Sequence, residues 1–217
     1  CLASIAMQVN VDQIQVTVVN DHCPMGSYKD IIECYQPMID INELILPENS
    51  GPGVAKQFGI DNTECPYLMF LDADDTIVNA FVIKHMMGIA ETEKSCEVYG
   101  NWYIEDEDGS LQVIDTKRTS VNGNIYKRDF LNKFDIRFNQ ARLHEDSYFE
   151  RMVEYYLQFY NLPISHFSEE VMIYHYTSTS ICKSIDDDMY SFTILTTWFH
   201  NTKELITLLE KRKAKLD

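Results

Sequence analysis

Short apolar segments alternate with helical patterns along the first third of the chain, and this alternation limits the possible folds more than any other feature of the sequence. Strands are predicted at 14–20, 42–48 and 67–72. Helices are predicted between them, at 28–38 and 51–62. Because strand–helix–strand units pack as parallel strands covered by helices, the chain is predicted to have an α/β fold. We expect a mixed, mostly parallel sheet flanked by helices.

The later part of the chain adds antiparallel strands and long helices to this pattern. Residues 96–114 predict two strands joined by an Asp-Gly turn. A helix with one apolar side is predicted at 145–160, and a long amphipathic helix or helix pair is predicted at 188–215. We expect a main domain over residues 1–180 and a C-terminal helical extension over residues 181–217, through which two copies of the chain could associate.

The charge and the cysteine content exclude several classes of protein. The 217 residues include 34 acidic and 18 basic side chains, a formal net charge of -16, which repels nucleic acid and anionic lipid. No apolar run approaches the roughly 20 residues that a membrane-spanning helix needs. The 6 cysteines include no C-x-x-C pair, so neither a zinc site nor a redox dithiol is predicted. We expect a cytoplasmic protein with reduced thiols, no nucleic-acid partner and no transmembrane segment.

The apolar strand at 67–72 ends in a group of acids, Asp72, Asp74 and Asp75. In an α/β sheet, ligands collect beyond the carboxyl ends of the strands. An extended backbone points Asp72 and Asp74 to the same side, where their like charges repel. A divalent cation would remove this conflict, and oxygen ligands select Mg²⁺ or Mn²⁺ together with a phosphate-bearing substrate. The alternative is a structural role, in which Asp75 or Asn79 caps the next helix.

The same stretch, "LMFLDADDTI", is a run of hydrophobic residues followed by D-x-D-x-T. It is similar to the first motif of the haloacid-dehalogenase superfamily of phosphatases. This resemblance implies that Asp72 is a nucleophile and that Asp74 is a general acid. It also implies a later strand that ends in a pair of acids, whereas the acids at 184–190 follow the polar stretch "STSICK". A phosphatase is therefore one interpretation of the chain.

Four short blocks along residues 1–155 support a second interpretation. The opening "CLASIAMQ" leads to a strand that ends in "VVNDHCPMGS", and three more blocks follow in order: "NSGPGVAKQFGI", "YLMFLDADD" and "ARLHEDSYFERM". Together the blocks resemble the family 2 glycosyltransferases. The resemblance implies the GT-A fold, in which one α/β domain holds a nucleotide-diphospho-sugar, and makes residues 1–180 the catalytic domain. The first strand of the family is not found, so an N-terminal strand is expected to be missing from this sequence.

The resemblance also implies how the donor sugar is bound. Asp21 stands where the family places the acid that binds the nucleotide base, which favours a UDP-sugar. Asp72 and Asp74 match the D-x-D motif, which binds the donor through Mn²⁺ or Mg²⁺, and Lys56 replaces an arginine near the diphosphate. His175 lies where some relatives supply a histidine to the metal. The structural alternatives are an Asx-turn at Asp21, a solvated helix lysine at Lys56 and a hydrogen-bonded core or surface histidine at His175.

Glu145 and Asp146 match the acidic motif that supplies the catalytic base of the family. Asp146 would take the proton of the acceptor hydroxyl, and a single displacement would invert the anomeric configuration. The Q-x-x-R-W segment of processive members is absent, so one sugar is expected per encounter with a glycan, lipid-linked or protein acceptor. Two alternatives stay open. The acid pair complements only the helix dipole, or the chain is a non-catalytic nucleotide-binding relative, since Lys56 and Gln57 depart from the family pattern.

Overall fold

The computed structural model describes residues 1–114, 120–177 and 200–212. In chain order the helices are α1 (Leu2–Ala6), α2 (Lys29–Tyr35), α3 (Pro52–Asp61), α4 (Val82–Glu93), α5 (Arg128–Lys133), α6 (Glu145–Phe159) and α7 (200–212). The strands are β1 (Gln15–Asn20), β2 (Asp40–Ile45), β3 (Tyr67–Met69), β4 (Thr76–Ile77), β5 (Glu97–Glu105), β6 (Leu111–Ile114), β7 (Ile125–Lys127) and β8 (Ile164–Tyr174).

The first strand–helix–strand unit has the predicted form. β1 and β2 pair in parallel, with Gln15 opposite Asp40 at one end and Asn20 opposite Ile45 at the other. α2 connects them in the chain, because parallel neighbours need a crossover rather than a tight turn. α3 then packs against β1. As a result, the loop after β1 and the start of α3 lie on the same edge of the molecule.

The second sheet is mixed, as predicted, but it is less parallel than expected. Its strands have the order β3, β7, β5, β8, β4, and β6 pairs with β5 at the hairpin. Within the described residues β1–β2 and β5–β8 are the parallel pairs, while β3–β7, β4–β8, β5–β6 and β5–β7 are antiparallel. The difference arises because β7 and β8 were not recognised as strands. β7 has 3 residues, and the β5–β8 register shifts at Asn101, which breaks a simple alternation.

β3 separates the two hydrophobic clusters of the core. Tyr67, Met69 and Leu71 pack on one cluster, while Leu68 and Phe70 pack on the other. This follows from the alternation of side chains along an extended chain. The first cluster lies under α1 and α4, and the second lies under α5 and α6. Apolar side chains on both faces therefore anchor β3 between the two clusters, and the acids follow shortly after it in the chain.

α7 covers the core of its own chain. Leu205 is buried, and Leu208 and Leu209 pack on the same cluster as α6. Arg212 donates hydrogen bonds to the backbone oxygens of Phe134 and Asp135. The boundary predicted at 180/181 and the apolar residues of the predicted helix at 192–199 lie outside the described residues, so the association of two copies stays a prediction. None of the helices in the described part of the chain combines the length and apolar character that crossing a membrane requires.

α3 and α6 approach each other closely at Gly53, which gives a test of this packing. A Cβ atom added at Gly53 would lie 2.5 Å from the backbone oxygen of Asn139 and 3.0 Å from Cβ of Glu145. We predict that Gly53→Ala lowers the free energy of unfolding by about 1–3 kcal/mol, because these atoms would have to move apart. Urea denaturation measures the change.

Gly88→Ala in α4 is the matched control. Gly88 has no atom within 4 Å of an added Cβ, and replacing glycine by alanine inside a helix stabilises it by about 0.5–1 kcal/mol. Equal effects of the two substitutions would contradict the close packing of α3 on α6.

Candidate active site

Three carboxylates converge on the ammonium group of Lys56. Lys56 lies on α3, Glu145 and Asp146 begin α6, and Asp72 follows β3. Lys56 Nζ is 2.8 Å from Asp146 Oδ1, 3.0 Å from Glu145 Oε1 and 3.6 Å from Asp72 Oδ1. The Lys56 side chain is only 13% exposed. The fold therefore brings the two acidic motifs of the sequence together in one site.

The charges of this cluster stabilise one another only in part. Burial alone would lower the pKa of Lys56, but Asp146, Asp72 and Glu145 raise it well above its usual value, because nearby negative charge favours the ammonium form. Burial raises the pKa of Glu145, although Lys56 opposes this rise. With three acids around one base, the site has an excess of negative charge.

Lys56 has partners other than the one predicted for it. Its ammonium group donates hydrogen bonds to Glu145 and Asp146, and its burial excludes the alternative of a solvated helix lysine. The predicted contact with the donor diphosphate stays a prediction. In this structure the positive charge instead links α3 to the acidic start of α6.

The start of α6 presents Asp146 to the site. The residue before the helix, His144, has left-handed backbone with φ 58, which turns the chain sharply into the helix. Glu145 and Asp146 occupy the first turn, where the helix dipole favours acids. The acid pair therefore both complements the helix dipole and pairs with Lys56, so the dipole is not its only partner. The second oxygen of Asp146, Oδ2, accepts a hydrogen bond from Ser120 Oγ at 2.9 Å.

Sequence reasoning missed two residues that contact the acids, Ser120 and Asn122. Asn122 Nδ2 donates to Asp72 Oδ2 at 2.6 Å, and Asn122 is almost fully buried. The stretch V-N-G-N that contains Asn122 has the composition of a turn. A turn composition carries no information about which distant carboxylates the turn will contact, so no signal in the single sequence could have identified these residues.

Asp21 is held at the end of β1 by the backbone that precedes α3. Its Oδ1 accepts from the N–H of Ser50 at 2.7 Å, and its Oδ2 accepts from the N–H of Gly51 at 2.8 Å. The Asx-type contact expected at Asp21 is made by its neighbour, because Asn20 Oδ1 accepts from the N–H of Cys23 at 2.8 Å. The role of Asp21 in binding the nucleotide base stays a prediction.

Asp74 and Asp75 have opposite environments. Asp74 is exposed, and its Oδ2 lies 3.5 Å from Thr177 Oγ1. Asp75 is fully buried, and its Oδ1 accepts from the N–H of His175 at 3.2 Å. Burial raises the pKa of Asp75 to about 7, and the charges of Asp72 and Asp74 add to this rise. One acid of the group is therefore accessible to a ligand, while burial disfavours the charged form of the other.

Capping of the next helix does not account for the acids. α4 begins at Val82, and its N-cap residue, Phe81, makes no side-chain capping bond. Asn79 Oδ1 accepts from the N–H of Phe81 at 2.9 Å, while Asp75 contacts the backbone of His175, just after β8. The structural alternative considered for Asp75 is thus not observed, and that for Asn79 is limited to this one local bond.

The predicted metal ligands fit a divalent cation in part. Asp72 and Asp74 offer carboxylate oxygens beyond a strand end, the donor set that Mg²⁺ and Mn²⁺ prefer. Both ring nitrogens of His175 have protein partners: Nδ1 is 2.7 Å from Glu105 Oε2, and Nε2 is 2.8 Å from Thr76 Oγ1. In the described ranges, no group of three or more His, Cys, Asp or Glu side chains could hold a metal ion. The carboxylate pair suits the metal, whereas His175 would have to give up its contact with Glu105 or Thr76 in order to bind it.

Solved structures with a similar fold include complexes with nucleotide-sugars. TarS of S. aureus in complex with UDP-GlcNAc matches with a TM-score of 0.71 and 21% identity, over 88% of this chain and 58% of that chain. A mannosyltransferase of Pyrobaculum calidifontis in complex with GDP-Man and Mn²⁺ matches with a TM-score of 0.60 and 13% identity, over 80% of this chain and 51% of that chain. At these identities the likeness establishes the fold, and the predicted GT-A fold is confirmed.

Two curated proteins share detectable sequence similarity with the chain. An uncharacterized glycosyltransferase of Haemophilus influenzae is 26% identical over 124 residues, which is 52% of this chain and 48% of that protein. A teichoic acid poly(glycerol phosphate) polymerase of Staphylococcus epidermidis is 37% identical over 82 residues, 36% of this chain and 11% of that protein. The chain thus spans about half the length of the first relative and a small part of the second.

The family profile of glycosyl transferase family 2 matches residues 1–160. This range contains both acidic motifs and Lys56, and it makes up most of the chain. The chain therefore belongs to glycosyl transferase family 2. The family match decides between the two resemblances seen in the sequence, because the phosphatase interpretation with Asp72 as nucleophile was based on a single motif.

The buried charge of Asp75 predicts a pH-dependent stability. An acid whose pKa is raised by folding holds its proton more tightly in the native state, so native stability falls as the pH rises from about 4, the ordinary value, to about 7. We predict that Asp75→Asn is more stable than wild type at pH 8 by about 1–3 kcal/mol, with a smaller difference at pH 4.

Urea denaturation in EDTA at both pH values tests the Asp75 prediction, because EDTA removes any bound metal. Asp12→Asn, at an exposed aspartate, is the control and is expected to be neutral. A stability difference between Asp75→Asn and wild type that does not grow with pH would contradict the buried charge.

Lys56 provides a second test of the cluster. We predict that Lys56→Met lowers the free energy of unfolding by about 3–5 kcal/mol, because removing the cation leaves buried carboxylates without a counter-charge. Lys56→Arg keeps the charge and should lose much less stability.

Lys29→Met is the control for Lys56→Met. Lys29 pairs with Glu33 at 3.6 Å on an exposed face of α2, and such a pair contributes about 0–1 kcal/mol. Thermal denaturation at pH 7 compares the variants, and similar losses for Lys56→Met and Lys29→Met would show that the Lys56 cluster does not stabilise the fold.

Proposed function

We propose that this chain transfers one sugar from a UDP-sugar to an acceptor hydroxyl, with inversion at the anomeric carbon and with Mn²⁺ or Mg²⁺ as cofactor. The observation that carries the proposal is the convergence of Asp72 and Asp146 on Lys56 at the end of β3. This convergence joins a candidate donor-binding motif and a candidate general base in one site. Membership of glycosyl transferase family 2 supports it.

The donor side of the site is proposed to begin at Asp21. Its carboxylate is fixed by two backbone N–H groups, and each oxygen retains a second lone pair. Asp21 can therefore accept the N3–H of a uracil base. The complex of TarS with UDP-GlcNAc, a protein of the same fold, supports a uridine donor. The GDP-Man complex of the mannosyltransferase makes a guanosine donor the comparison to include in the test.

Asp72 and Asp74 would hold the divalent cation next to the donor diphosphate. A cation bound there neutralises the negative charge that builds on the leaving group as the sugar bond breaks. The Mn²⁺ in the complex of the mannosyltransferase, a protein of similar fold, supports a divalent metal as cofactor. Asp74 is exposed and accessible, while Asp72 is oriented by its contact with Asn122.

Asp146 is proposed to act as the general base, with Glu145 as its buried neighbour. The acceptor hydroxyl would transfer its proton to Asp146 while its oxygen attacks the anomeric carbon. UDP would leave from the opposite face, so one displacement inverts the configuration. Lys56 and Ser120 each hold one oxygen of Asp146, which orients the carboxylate before the acceptor binds.

The acceptor is proposed to be a glycan, a lipid-linked molecule or a protein, and one sugar would be added per encounter. One relative is named as a teichoic acid poly(glycerol phosphate) polymerase. A polyol-phosphate chain carries many hydroxyl groups, so it is the first acceptor to test once the donor is known.

Turnover of a panel of sugar nucleotides tests this proposal. UDP-sugars and GDP-Man are incubated with the protein in Mn²⁺, Mg²⁺ or EDTA, and release of the nucleoside diphosphate is measured with and without polyol-phosphate acceptor. We expect turnover of a UDP-sugar in Mn²⁺ or Mg²⁺ only. Asp146→Asn should lower this turnover by about 10²–10⁴-fold, the usual contribution of a general base, and should leave UDP affinity unchanged.

Asp74→Asn should weaken the metal-dependent binding of UDP, and Asp12→Asn serves as the control that changes neither property. Turnover that is insensitive to Asp146→Asn would contradict the role of this acid. UDP binding without turnover of any donor would instead support the non-catalytic alternative. Turnover in EDTA equal to that in Mn²⁺ would contradict the metal.

A further inference from the structure

A buried loop contacts both of the acids on which the proposed function depends. We define residues 120–124 as the bridging loop. Ser120 Oγ donates to Asp146 Oδ2 at 2.9 Å, and Asn122 Nδ2 donates to Asp72 Oδ2 at 2.6 Å. Two residues of one short loop therefore reach one acid after β3 and one acid on α6.

The bridging loop and Lys56 hold the two carboxylates from complementary sides. Lys56 approaches Oδ1 of Asp72 and Oδ1 of Asp146, whereas the loop donates to Oδ2 of each. A carboxylate with a donor on each oxygen cannot rotate freely about its terminal bond. The arrangement therefore sets both the separation of the two acids and the directions of their remaining lone pairs.

The bridging loop is itself fixed to β3 and to its own backbone. Asn122 forms a parallel bridge with Phe70, and the N–H of Gly123 donates to the backbone oxygen of Phe70 at 2.8 Å. The N–H of Asn122 lies 3.3 Å from Ser120 Oγ, and Asn124 Nδ2 donates to the backbone oxygen of Ser120 at 3.0 Å. These bonds fix the loop relative to the strand that leads to Asp72.

Gly123 permits the close approach of the loop to the sheet. Its φ is +74, in the left-handed region that favours glycine, and an added Cβ atom would lie 3.0 Å from Val171 and 3.2 Å from Met172. Asn122 and its neighbours on both sides are buried. A loop with these constraints holds Ser120 and Asn122 in one defined position.

We propose that Ser120 and Asn122 are positioning residues of the transferase, Asn122 for the donor acid Asp72 and Ser120 for the base Asp146. This inference rests on the proposed function and adds the residues that set its geometry. The two contacts should have separable effects, because Asp72 serves donor binding and Asp146 serves proton transfer.

Steady-state kinetics of single variants test the inference. Asn122→Ala should weaken the Mn²⁺-dependent affinity for UDP and raise the donor KM by about 10-fold or more, with a smaller change in kcat, as is typical for residues that orient a ligating side chain. Ser120→Ala should lower kcat by about 10-fold and leave the donor KM unchanged. Ser120→Thr keeps the hydroxyl and should restore kcat.

Asn122→Asp distinguishes the loss of the hydrogen bond from a change in side-chain size. It keeps the size of Asn122 but cannot donate to Asp72 when it is ionised. It should weaken UDP affinity at least as much as Asn122→Ala. Ser95→Ala is the control for lost stability, since Ser95 is buried and hydrogen-bonds to Ser165 but lies outside the bridging loop and contacts neither acid. It should lower the melting temperature without the selective change in KM or kcat.

Three outcomes would overturn the inference. The first is that the wild-type enzyme is active and that both Asn122→Ala and Ser120→Ala have the same KM and kcat as the wild type. The second is a loss of stability in these variants with equal losses of kcat and donor affinity. The third is an unchanged position of Asp72 in a crystal structure of Asn122→Ala, and of Asp146 in one of Ser120→Ala. The crystal structures decide the matter even if the wild-type protein turns over no sugar nucleotide, an outcome that would overturn the proposed function alone.

Discussion

The rest of the site depends on the ion pairs that the ammonium group of Lys56 makes. Asp72, Glu145 and Asp146 lie within 3.6 Å of it, and without a cation these carboxylates would repel one another. Lys56 also joins α3 and α6 at the point where Gly53 lets the two helices approach closely. One side chain therefore both stabilises the packing and holds the acids at a common edge of the sheet.

The remaining features of the site follow from the position of β3. Its apolar side chains pack on both hydrophobic clusters, so the chain that leaves it starts from a rigid support. The acids that follow carry more negative charge than Lys56 balances, and Asp75 is buried among them. Such unfavourable electrostatics are common where a protein binds a cation or a charged substrate. The fold supplies the energy that keeps these acids together.

The parts of the fold that depend on local sequence patterns were predictable from the sequence. The parallel β1–β2 unit, α3 and the hairpin of β5 and β6 match predicted segments, because periodicity and turn residues act over short distances. The family motifs also identified Asp72, Asp146 and Lys56 as neighbours of one site. β7 and β8 were not recognised, since β7 is short and the register of β8 is irregular. Their pairing makes the second sheet mostly antiparallel.

The sequence by itself determined the family and the GT-A fold and supplied the candidate acids of the site, because these depend on the order of motifs and on residue type. Only the tertiary structure decided the partners of those residues. Lys56 binds protein carboxylates, His175 is held by Glu105 and Thr76, and the bridging loop bonds to both acids. Contacts between residues far apart in the chain depend on how close the fold brings their atoms, and no local pattern encodes that distance.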